Sequence, residues 1–336
     1  MRCSRKKRKN RNFPSAVLGS LLFLAVFLCL SGVEDQKFSG ARFAVESSKD
    51  GAPEDVMCLV RTDSGKTEKI TTENYVIGVV AGEMPVEFEP EALKSQAVIA
   101  RTYAVRKIFD GEKNGDNVVI CDDPGHCQAF SDMKTLREQW GNHFDENYEK
   151  IKAAVSATKD QYLYYEGEPA RTYYHSVCGG HTASAKEVWG EDIPYLRGVN
   201  CEWDSDAPHY CETVTVAGTD LPRLFRDAAL PCVLSSAKNE LMKMPALDGE
   251  TESGRVASVF YGGTVISAVD FRRALNLNST CFTLSAEGNE LKITTKGFGH
   301  GVGLCQYGAN GMAKEGYTYG EILAHYYPGT ELKKHP

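Results

Sequence analysis

The sequence predicts an α+β protein in which mixed sheet and helices form one large domain, with a prominent helical segment near its start and a membrane anchor before it. Three observations support this class. Helical and extended patterns follow one another without the regular strand–helix–strand rhythm of a parallel sheet. The chain has no internal repeat and no low-complexity tract beyond residue 12. Its 336 residues are enough to bury a sizeable core.

The N-terminal segment has the pattern of a cytoplasmic tail followed by a membrane anchor. Residues 1–12 carry seven Lys and Arg and no acid, and an apolar run of about 18 residues extends from Ala16 to Val33. Positive charge before the run predicts that the anchor at 13–33 crosses the membrane once, with the N-terminus in the cytoplasm and the body outside. A cleaved signal peptide is the alternative. Residues 34–56 predict a polar linker, and 57–332 the folded domain.

The charge of the body argues against nucleic acid as a partner. The formal net charge is −7, but without the basic tail 31 basic residues face 45 acidic ones, a net charge of −14. Binding of nucleic-acid phosphates needs clustered cations, which an acidic body does not supply.

The first elements of the domain are predicted from local signals. Met57–Arg61 and Lys66–Ile70 have extended patterns, and Thr71 followed by Thr72 and Glu73 is typical of a capped helix start. Pro85 predicts that this helix stops by Met84. Its buried stripe is predicted to contain Tyr75, Val76, Val79 and Val80.

A second helix is predicted to begin near Pro90, with Glu91 in its first turn. Small and apolar residues recur at steps of three and four and predict close packing, namely Leu93, Ala97, Ala100, Ala104 and Ile108. The later helices and strands are predicted at Glu146–Ala157, Tyr162–Tyr165, Ala170–His175, Cys211–Val216, Leu221–Ala228, Val256–Phe260, Thr264–Ala268, Asp270–Leu275, Leu291–Thr295 and Tyr319–Tyr326.

Glu83 is the strongest candidate for acid–base chemistry. It falls at the carbonyl end of its helix, between Gly82 and Met84, where the helix dipole and apolar burial would both raise a carboxyl pKa. Lys94 and Arg101 lie seven residues apart on the next helix and are predicted to share one face. A carboxylate beside a cationic helix face suits acid catalysis on a polar polymer. An exposed Glu at a helix end and an ordinary solvated face are the alternatives.

The eleven cysteines favour metal binding or disulfides, since the body is predicted to lie outside the membrane. Cys121, His126 and Cys127 place two thiols and an imidazole on one tight turn, the ligand types that zinc prefers. A disulfide between the two cysteines of this turn is the alternative. Cys201 and Cys211 flank an Asp- and Pro-containing loop and suit a local disulfide, although reduced thiols remain possible.

Two glycine-containing segments follow. The segment 175–181, from His175 to His181 with Cys178 between them, predicts either a fourth metal ligand or a substrate loop in which glycines let a sugar approach the backbone. The segment 297–303 resembles a phosphate-binding loop, but no hydrophobic strand leads into it and no acid follows at the right distance, so tight packing around its glycines is favoured. His300, Gln306 and Tyr307 are candidates for the lining of a groove.

Several motifs, in order, resemble the stage II sporulation protein D family over roughly residues 55–332. The motifs are Glu83-Met84-Pro85, Ala92-Leu93-Lys94-Ser95-Gln96-Ala97, Ala100-Arg101-Thr102-Tyr103, Tyr174-His175-Ser176, Gly179-Gly180, Tyr195-Leu196-Arg197, Glu252-Ser253-Gly254-Arg255, Gly299-His300-Gly301-Val302-Gly303 and Gln306-Tyr307-Gly308-Ala309.

The resemblance implies a membrane-anchored lytic transglycosylase that cleaves the glycan strands of peptidoglycan during engulfment of the forespore. It implies a preference for strands already stripped of their peptides, and a location in the intermembrane space facing the septal wall. It also implies work beside two partners, the amidase stage II sporulation protein P and the membrane scaffold stage II sporulation protein M.

The family's functional residues can be carried over by position. The resemblance implies that Glu83 is the catalytic glutamate, and that the substrate cleft contains Lys94, Arg101, Tyr174 and Ser176. Some clostridial members hold zinc near the cleft, and three such positions fall on Cys121, His126 and Cys127. No His occurs shortly before Cys121 to supply a fourth ligand, and Cys178 stands where the family often has Ser.

Two other functions remain open at this point. Amidase-enhancer proteins share much of the family's sequence, and such a protein would bind glycan without cleaving it. A zinc hydrolase would use a water molecule on the metal at Cys121, His126 and Cys127, since catalytic zinc keeps one coordination position open.

Overall fold

The computed structural model describes residues 4–6, 56–114, 120–230 and 244–334. It confirms the α+β class, because helices and several small sheets occur along the chain. Within these described ranges, no helix combines the length and the apolar character that a bilayer crossing requires. The predicted anchor at 13–33 lies outside the described residues.

The described helices and strands have the following bounds. The helices are α1 (Thr72–Glu83), α2 (Pro90–Asn114), α3 (Met133–Trp140), α4 (Phe144–Ala157), α5 (Ala185–Trp189), α6 (Leu221–Asp227), α7 (Ala268–Leu275), α8 (Gln306–Lys314) and α9 (Tyr319–Tyr326). The strands are β1 (Ser4–Lys6), β2 (Val56–Val60), β3 (Thr67–Thr71), β4 (Ile120–Cys121), β5 (Gln161–Tyr165), β6 (Glu168–Pro169), β7 (Tyr174–His175), β8 (Cys211–Ala217), β9 (Ala246–Glu250), β10 (Val256–Tyr261), β11 (Thr264–Ser267), β12 (Phe282–Glu287), β13 (Glu290–Lys296), β14 (Leu304–Cys305) and β15 (Glu331–Lys334).

The described residues form two compact units. The first, called here the helical unit, contains residues 56–173 and 312–334. The second, called the sheet unit, contains residues 174–311 together with residues 4–6. The predicted domain at 57–332 extends over both units.

Helix α1 of the helical unit begins and ends as its sequence predicts. The Thr71 hydroxyl accepts a hydrogen bond from the Asn74 N–H at 3.3 Å, which caps the first turn. The helix ends at Glu83, and Met84 takes an extended conformation because Pro85 excludes a helical one. The predicted stripe on α1 is fully buried, with Tyr75, Val76, Val79 and Val80 all inaccessible to solvent.

Helix α2 packs against α1, α4 and β5. Its predicted apolar positions Leu93, Ala97, Ala100 and Ala104 are fully buried, so the small side chains do allow close contact. Two small sheets complete the helical unit. In one, β2 pairs antiparallel with β3 and parallel with β4; in the other, β5 pairs antiparallel with both β15 and β6.

The predicted strand at Ala170–His175 is wrong in its bounds. The partner of β5 in the hairpin is Glu168–Pro169, across a turn in which Glu166 and Gly167 have positive φ. The chain then leaves this sheet, and the Thr172 hydroxyl donates to the Ile99 carbonyl at 2.8 Å. Residues 171–173 therefore contact α2 instead of pairing as a strand, and strand pairing resumes only at β7.

The sheet unit contains two larger sheets around an aromatic core, together with the short parallel pair of β7 and β14. Strands β8, β13 and β12 form one sheet, with the backbone of β1 paired in parallel to β8, and β9, β10 and β11 form the other. Phe225 and Tyr261 meet edge to face at 4.9 Å, and Phe271 stacks on Phe282 at 5.3 Å. Full burial of such side chains stabilises the unit by roughly 1.5–3 kcal/mol each.

The disulfide suggested between Cys201 and Cys211 is wrong. Cys201 is buried and carries no disulfide, whereas Cys211 is disulfide-bonded. Proximity along the chain suggested the pairing, but Cys201 instead points into a buried cluster of polar side chains within the sheet unit.

Candidate functional site

Glu83 is the last residue of α1 and its carboxylate is held by the backbone of a neighbouring segment. The Ala129 N–H donates to Oε1 of Glu83 at 2.8 Å. The side chain is partly buried, so it is neither a freely rotating surface group nor a core residue. A carboxylate fixed in this way can present its second oxygen in a defined direction, as general acid–base catalysis requires.

The segment that holds Glu83 lies against a face of α1 formed by two glycines. A Cβ on Gly78 would fall 2.2 Å from the Phe130 ring, and one on Gly82 would fall 3.3 Å from the Ala129 carbonyl oxygen. The Ser131 N–H donates to the Gly78 carbonyl at 3.0 Å. The Phe130 ring stacks on Tyr75 at 5.9 Å. The absence of side chains on this face thus permits the close approach that places Ala129 on Glu83.

The predicted metal ligands of the helical unit lie together at the end of β4. Sγ of Cys121 is 3.2 Å from Nδ1 of His126 and 3.3 Å from Sγ of Cys127, and the His126–Cys127 distance between ligand atoms is 3.4 Å. Tetrahedral zinc with ordinary bond lengths places such donors about 3.5–3.8 Å apart, so the set fits a zinc ion. Neither cysteine carries a disulfide. Among the described residues, no fourth His, Cys, Asp or Glu joins this group.

The loop between the two cysteines is ordered by its own acidic residues. The Asp123 carboxylate accepts from the Gly125 N–H at 2.8 Å, and the Asp123 carbonyl accepts from the Cys127 N–H at 2.7 Å. Asp122 forms an ion pair with Arg61 at 3.1 Å. The turn is therefore held in place on both sides, as a preformed ligand set would require.

The electrostatics of the turn favour a thiolate at Cys127. A hydrogen bond from the Cys121 thiol, with help from His126 and the Lys107 ammonium 3.0 Å away, lowers the pKa of Cys127 to about 4. Sharing a proton with Cys127, together with burial, raises the pKa of Cys121. A thiolate is the form that binds metal.

The metal-ligand turn and Glu83 belong to one continuous segment. Cys127 is followed by Gln128, whose amide donates to the Tyr75 hydroxyl at 3.1 Å and to the Ala100 carbonyl at 3.3 Å. The next residue is Ala129, the donor to Glu83. Because Gln128 is buried and bonded to both α1 and α2, the turn is rigidly connected to the carboxylate.

Arg101 does not lie on an exposed cationic face. Its side chain is 0% exposed and forms a bidentate ion pair with Glu73 on α1, with distances of 2.7 and 2.9 Å. The same guanidinium donates to the carbonyls of Val155 and Gln161 at 3.3 and 3.4 Å. These contacts join α1, α2, α4 and β5, so the position of Arg101 is that of a structural residue, and its substrate role stays a prediction.

Lys94 is partly exposed and forms a local ion pair. Its Nζ lies 2.5 Å from Oε1 of Glu91, one turn earlier on α2, and 5.8 Å from the centre of the Tyr319 ring. Oε2 of Glu91 accepts from the Tyr319 N–H at 2.8 Å. Lys94 therefore keeps a partly exposed side chain, whereas Arg101, two turns further along the same face of α2, is completely covered.

Tyr174 and Ser176 belong to the sheet unit. Tyr174 opens β7, which pairs in parallel with β14 opposite Leu304, and Ser176 follows the strand. Both are partly buried, and the Ser176 carbonyl accepts from the Tyr307 N–H at 3.1 Å. Both residues lie in the short segment that begins with β7, and their substrate role stays a prediction.

Two histidines of the sheet unit are held neutral. The rings of His175 and His300 are 5.7 Å apart, and Trp189 is 5.2 Å from His300. Burial, followed by the charges of Arg272 and Arg255, lowers the pKa of His300 to about 3, and burial likewise lowers the pKa of His175 well below its usual value. Neither is a base poised near neutral pH.

The glycines of 297–303 serve tight packing, as the sequence predicts. A Cβ on Gly299 would fall 2.8 Å from Cβ of His175, and one on Gly301 would fall 2.5 Å from the guanidinium of Arg255. Both glycines have positive φ, so a side chain would be strained as well as crowded.

Comparison with known proteins identifies similar chains. A family model described as "Stage II sporulation protein" matches residues 61–165. The chain is 36% identical over 277 residues to "Stage II sporulation protein D" of Bacillus subtilis (strain 168), covering 82% of this chain and 78% of that protein. The protein of the same description from Bacillus amyloliquefaciens is also 36% identical, with the same coverage. The "Amidase enhancer" of Bacillus subtilis (strain 168) is 27% identical over 305 residues, which cover 76% of this chain and 40% of that protein.

Proposed function

Because the chain belongs to the stage II sporulation protein D family, a family involved in sporulation, we propose that it is a lytic transglycosylase that cleaves peptidoglycan glycan strands stripped of their peptides. The observation that carries this proposal is the carboxylate of Glu83, fixed at the end of α1 by the Ala129 N–H. The proposed role is remodelling of the septal wall during engulfment of the forespore.

The proposed reaction needs one carboxylic acid. Protonated Glu83 donates its proton to the bridging oxygen as the bond between C1 of N-acetylmuramic acid and N-acetylglucosamine breaks. The resulting carboxylate then removes the proton of the muramyl 6-hydroxyl, whose oxygen bonds to C1 and closes a 1,6-anhydro ring. An internal hydroxyl replaces water, so the second carboxylate of an ordinary glycosidase is not required.

A backbone hydrogen bond orients the carboxyl group of Glu83 for the proposed proton transfer. Oε1 accepts the Ala129 N–H at 2.8 Å, so the carboxyl group has a defined position at the end of α1. Proton transfer of this kind is typically worth about 10²- to 10⁴-fold in rate.

Lys94, Arg101, Tyr174 and Ser176 are the proposed substrate-binding residues, and the described contacts support them unequally. Lys94 presents a partly exposed ammonium suited to the lactyl carboxylate of a stripped muramyl residue. Arg101 is already engaged with Glu73, so its contribution to substrate binding is proposed to be indirect, through the position of α1.

Zinc is the proposed metal at Cys121, His126 and Cys127. When bound, it supplies a charged centre that fixes the conformation of the turn. The three ligand residues would then fix the positions of Gln128 and Ala129, which follow them in the chain. The Ala129 N–H in turn holds the carboxylate of Glu83. The metal is proposed as structural rather than catalytic.

The proposed location is the cell membrane, with a single crossing at 13–33 and the domain in the intermembrane space. The proposed partners are the amidase protein P and the scaffold protein M of the same sporulation stage. A membrane crossing at 13–33 would place β1 and β8 on opposite sides of the membrane. The crossing and the pairing of these two strands are therefore mutually exclusive. Protease treatment of protoplasts should digest a C-terminal tag and spare an N-terminal one, and digestion of both would contradict the anchor.

The experiment that tests the activity compares the full-length chain with Glu83→Gln on purified, peptide-free glycan strands. Glu87→Gln is the matched control, because Glu87 is exposed and lies four residues further along. Mass spectrometry should find 1,6-anhydro ends from the wild type and the control, and few from Glu83→Gln. Equal cleavage by Glu83→Gln would refute the assignment of the acid.

A non-catalytic amidase enhancer is the second candidate, favoured by the 27% identity to the protein of that description. Folded chain that releases no product alone, but stimulates an amidase on intact peptidoglycan, would support it over the enzyme.

A further inference from the structure

The sheet unit contains a second group of ligand-type side chains, independent of the turn at Cys121. Its members are Cys178, Cys201, Asp204 and Cys305. One ligand atom from each lies within 4.8 Å of all the others. They come from three separate segments, namely the residues after β7, the loop around the 3₁₀ turn Glu202–Asp204, and β14.

All four side chains are buried, with exposed fractions of 0–1%. A carboxylate among thiols at this depth is costly unless it is paired or binds a cation. Oδ2 of Asp204 accepts from the backbone N–H groups of Cys178 and Gly179 at 2.8 and 2.9 Å and lies 3.0 Å from Sγ of Cys178. Oδ1 of the same carboxylate is buried and has no hydrogen-bond partner in the described structure.

The backbone also supplies donors to sulfur. The N–H groups of Cys178 and Gly308 both lie 3.3 Å from Sγ of Cys305 and donate to it. Backbone N–H groups that donate to sulfur are the kind of partner that orients metal-bound thiolates.

Arg255 is a buried cation that contacts the backbone of one proposed ligand, Cys178. Its side chain is buried, and its guanidinium donates to the Cys178 carbonyl at 2.9 Å, while Nε and Nη1 have no partner in the described structure. Zinc with three thiolates and one carboxylate would carry a net charge of about −2, by simple addition of the ligand and metal charges. A buried arginine beside a ligand residue would offset part of that charge.

We propose that Cys178, Cys201, Asp204 and Cys305 bind a structural Zn²⁺ ion. Three sulfurs and one oxygen make a complete four-coordinate set, which is the arrangement of closed zinc sites that have no room for substrate or water. The ion joins β7, the 201–204 loop and β14 in the unit that carries Tyr174 and Ser176. The site is separate from the turn at Cys121 and does not depend on the proposed enzymatic activity.

The test measures zinc bound per chain in the full-length protein and its variants. Cys178→Ser should lower the zinc content by about one equivalent, and its thermal unfolding temperature should fall. Cys281→Ser is the matched control, because Cys281 is a cysteine of the same unit outside the group, and its zinc content should equal that of the wild type. Equal zinc in the wild type and a folded Cys178→Ser chain would overturn the proposal.

A second variant keeps the test decisive if Cys178→Ser does not fold. Cys127→Ser removes a ligand of the other centre, and the chain should still hold about one equivalent of zinc, replaceable by Co²⁺ with the absorption of a tetrahedral thiolate complex. A folded Cys127→Ser chain without bound metal, or wild-type chain in which two of Cys178, Cys201 and Cys305 are joined as a disulfide, would refute the site.

Discussion

The backbone N–H of Ala129 donates to Oε1 of Glu83 at 2.8 Å, and only Gln128 separates Ala129 from Cys127. The proposed catalytic carboxylate and the proposed metal-ligand turn are thereby connected through one short segment. The reactivity of Glu83 and the integrity of the turn should therefore depend on each other.

Metal removal should weaken the enzyme without changing its chemistry. Chelation, or Cys127→Ser, should lower the thermal unfolding temperature and the rate of cleavage, because the segment that holds Glu83 is less well fixed. Whatever product remains should still have 1,6-anhydro ends. A catalytic metal would instead be favoured if cleavage fell almost to zero while the thermal unfolding temperature stayed the same, and if the trace of product had hydrolysed ends.

Gly78→Ala should displace the carboxylate of Glu83 indirectly, by shifting the segment that holds it. The added Cβ would fall 2.2 Å from the Phe130 ring, so the segment 128–131 has to shift. Overpacking of this kind destabilises by about 1–3 kcal/mol, and we expect a larger fractional loss of cleavage rate than of stability. Urea unfolding and initial rates measure the two effects.

Gly320→Ala is the control for that substitution. Gly320 also lies in a helix, but a Cβ there meets no atom within 4 Å. It should be neutral or stabilise by up to about 1 kcal/mol through helix propensity. Equal effects of the two substitutions would show that the contact with Phe130 is irrelevant.

Substitution of Arg101 should mainly affect stability, whereas substitution of Lys94 should mainly affect substrate binding. Arg101→Ala leaves Glu73 and two carbonyls without their buried donor and should cost about 3 kcal/mol of unfolding free energy. Lys94→Ala removes a partly exposed pair worth about 0.2–1 kcal/mol, so it should unfold like the wild type but bind stripped glycan less tightly. Unchanged stability of Arg101→Ala in urea would contradict the structural role.

Stability should decrease as the pH falls from about 6.5 towards 3. His175 and His300 have a depressed pKa in the folded protein, so the unfolded chain binds more protons in this range and is favoured by acid. We expect a loss of roughly 2 kcal/mol for each of the two histidines between pH 7 and 5, seen as a lower urea midpoint. The charges facing these rings, Arg255 and Arg272, strengthen the effect.

His175→Gln should flatten this pH dependence, even if it lowers stability at every pH. His143→Gln is the control, because the His143 side chain is 78% exposed. A wild-type midpoint that does not change between pH 7 and 5 would show that the buried histidines contribute nothing to acid sensitivity.

Local signals predicted the elements that carry the candidate acid. Thr71 and Pro85 fix the two ends of α1, and Pro90 fixes the start of α2, because caps and prolines act within a few residues. One such signal was missed: Ser184 and Glu187 form a capping box at the start of α5, and the spacing Ser-x-x-Glu is visible in the sequence.

Long-range partners could not be predicted in the same way. Helical spacing placed Lys94 and Arg101 on one face, but which part of that face is covered depends on α4 and β5, more than 50 residues further along. The group around Cys178 has ligands spread over 127 residues, so no spacing rule detects it. The suggested pairing of Cys201 with Cys211 failed for the same reason, since chain proximity does not reveal a buried environment.

The most direct test of the central claim is cleavage of peptide-free glycan strands in water enriched in ¹⁸O. If Glu83 directs the muramyl 6-hydroxyl onto C1, the products should have 1,6-anhydro ends without ¹⁸O, and Glu83→Gln should lower their rate of formation by about 10²- to 10⁴-fold. Incorporation of ¹⁸O at C1 of N-acetylmuramic acid, with or without Glu83, would contradict the account and identify a hydrolase.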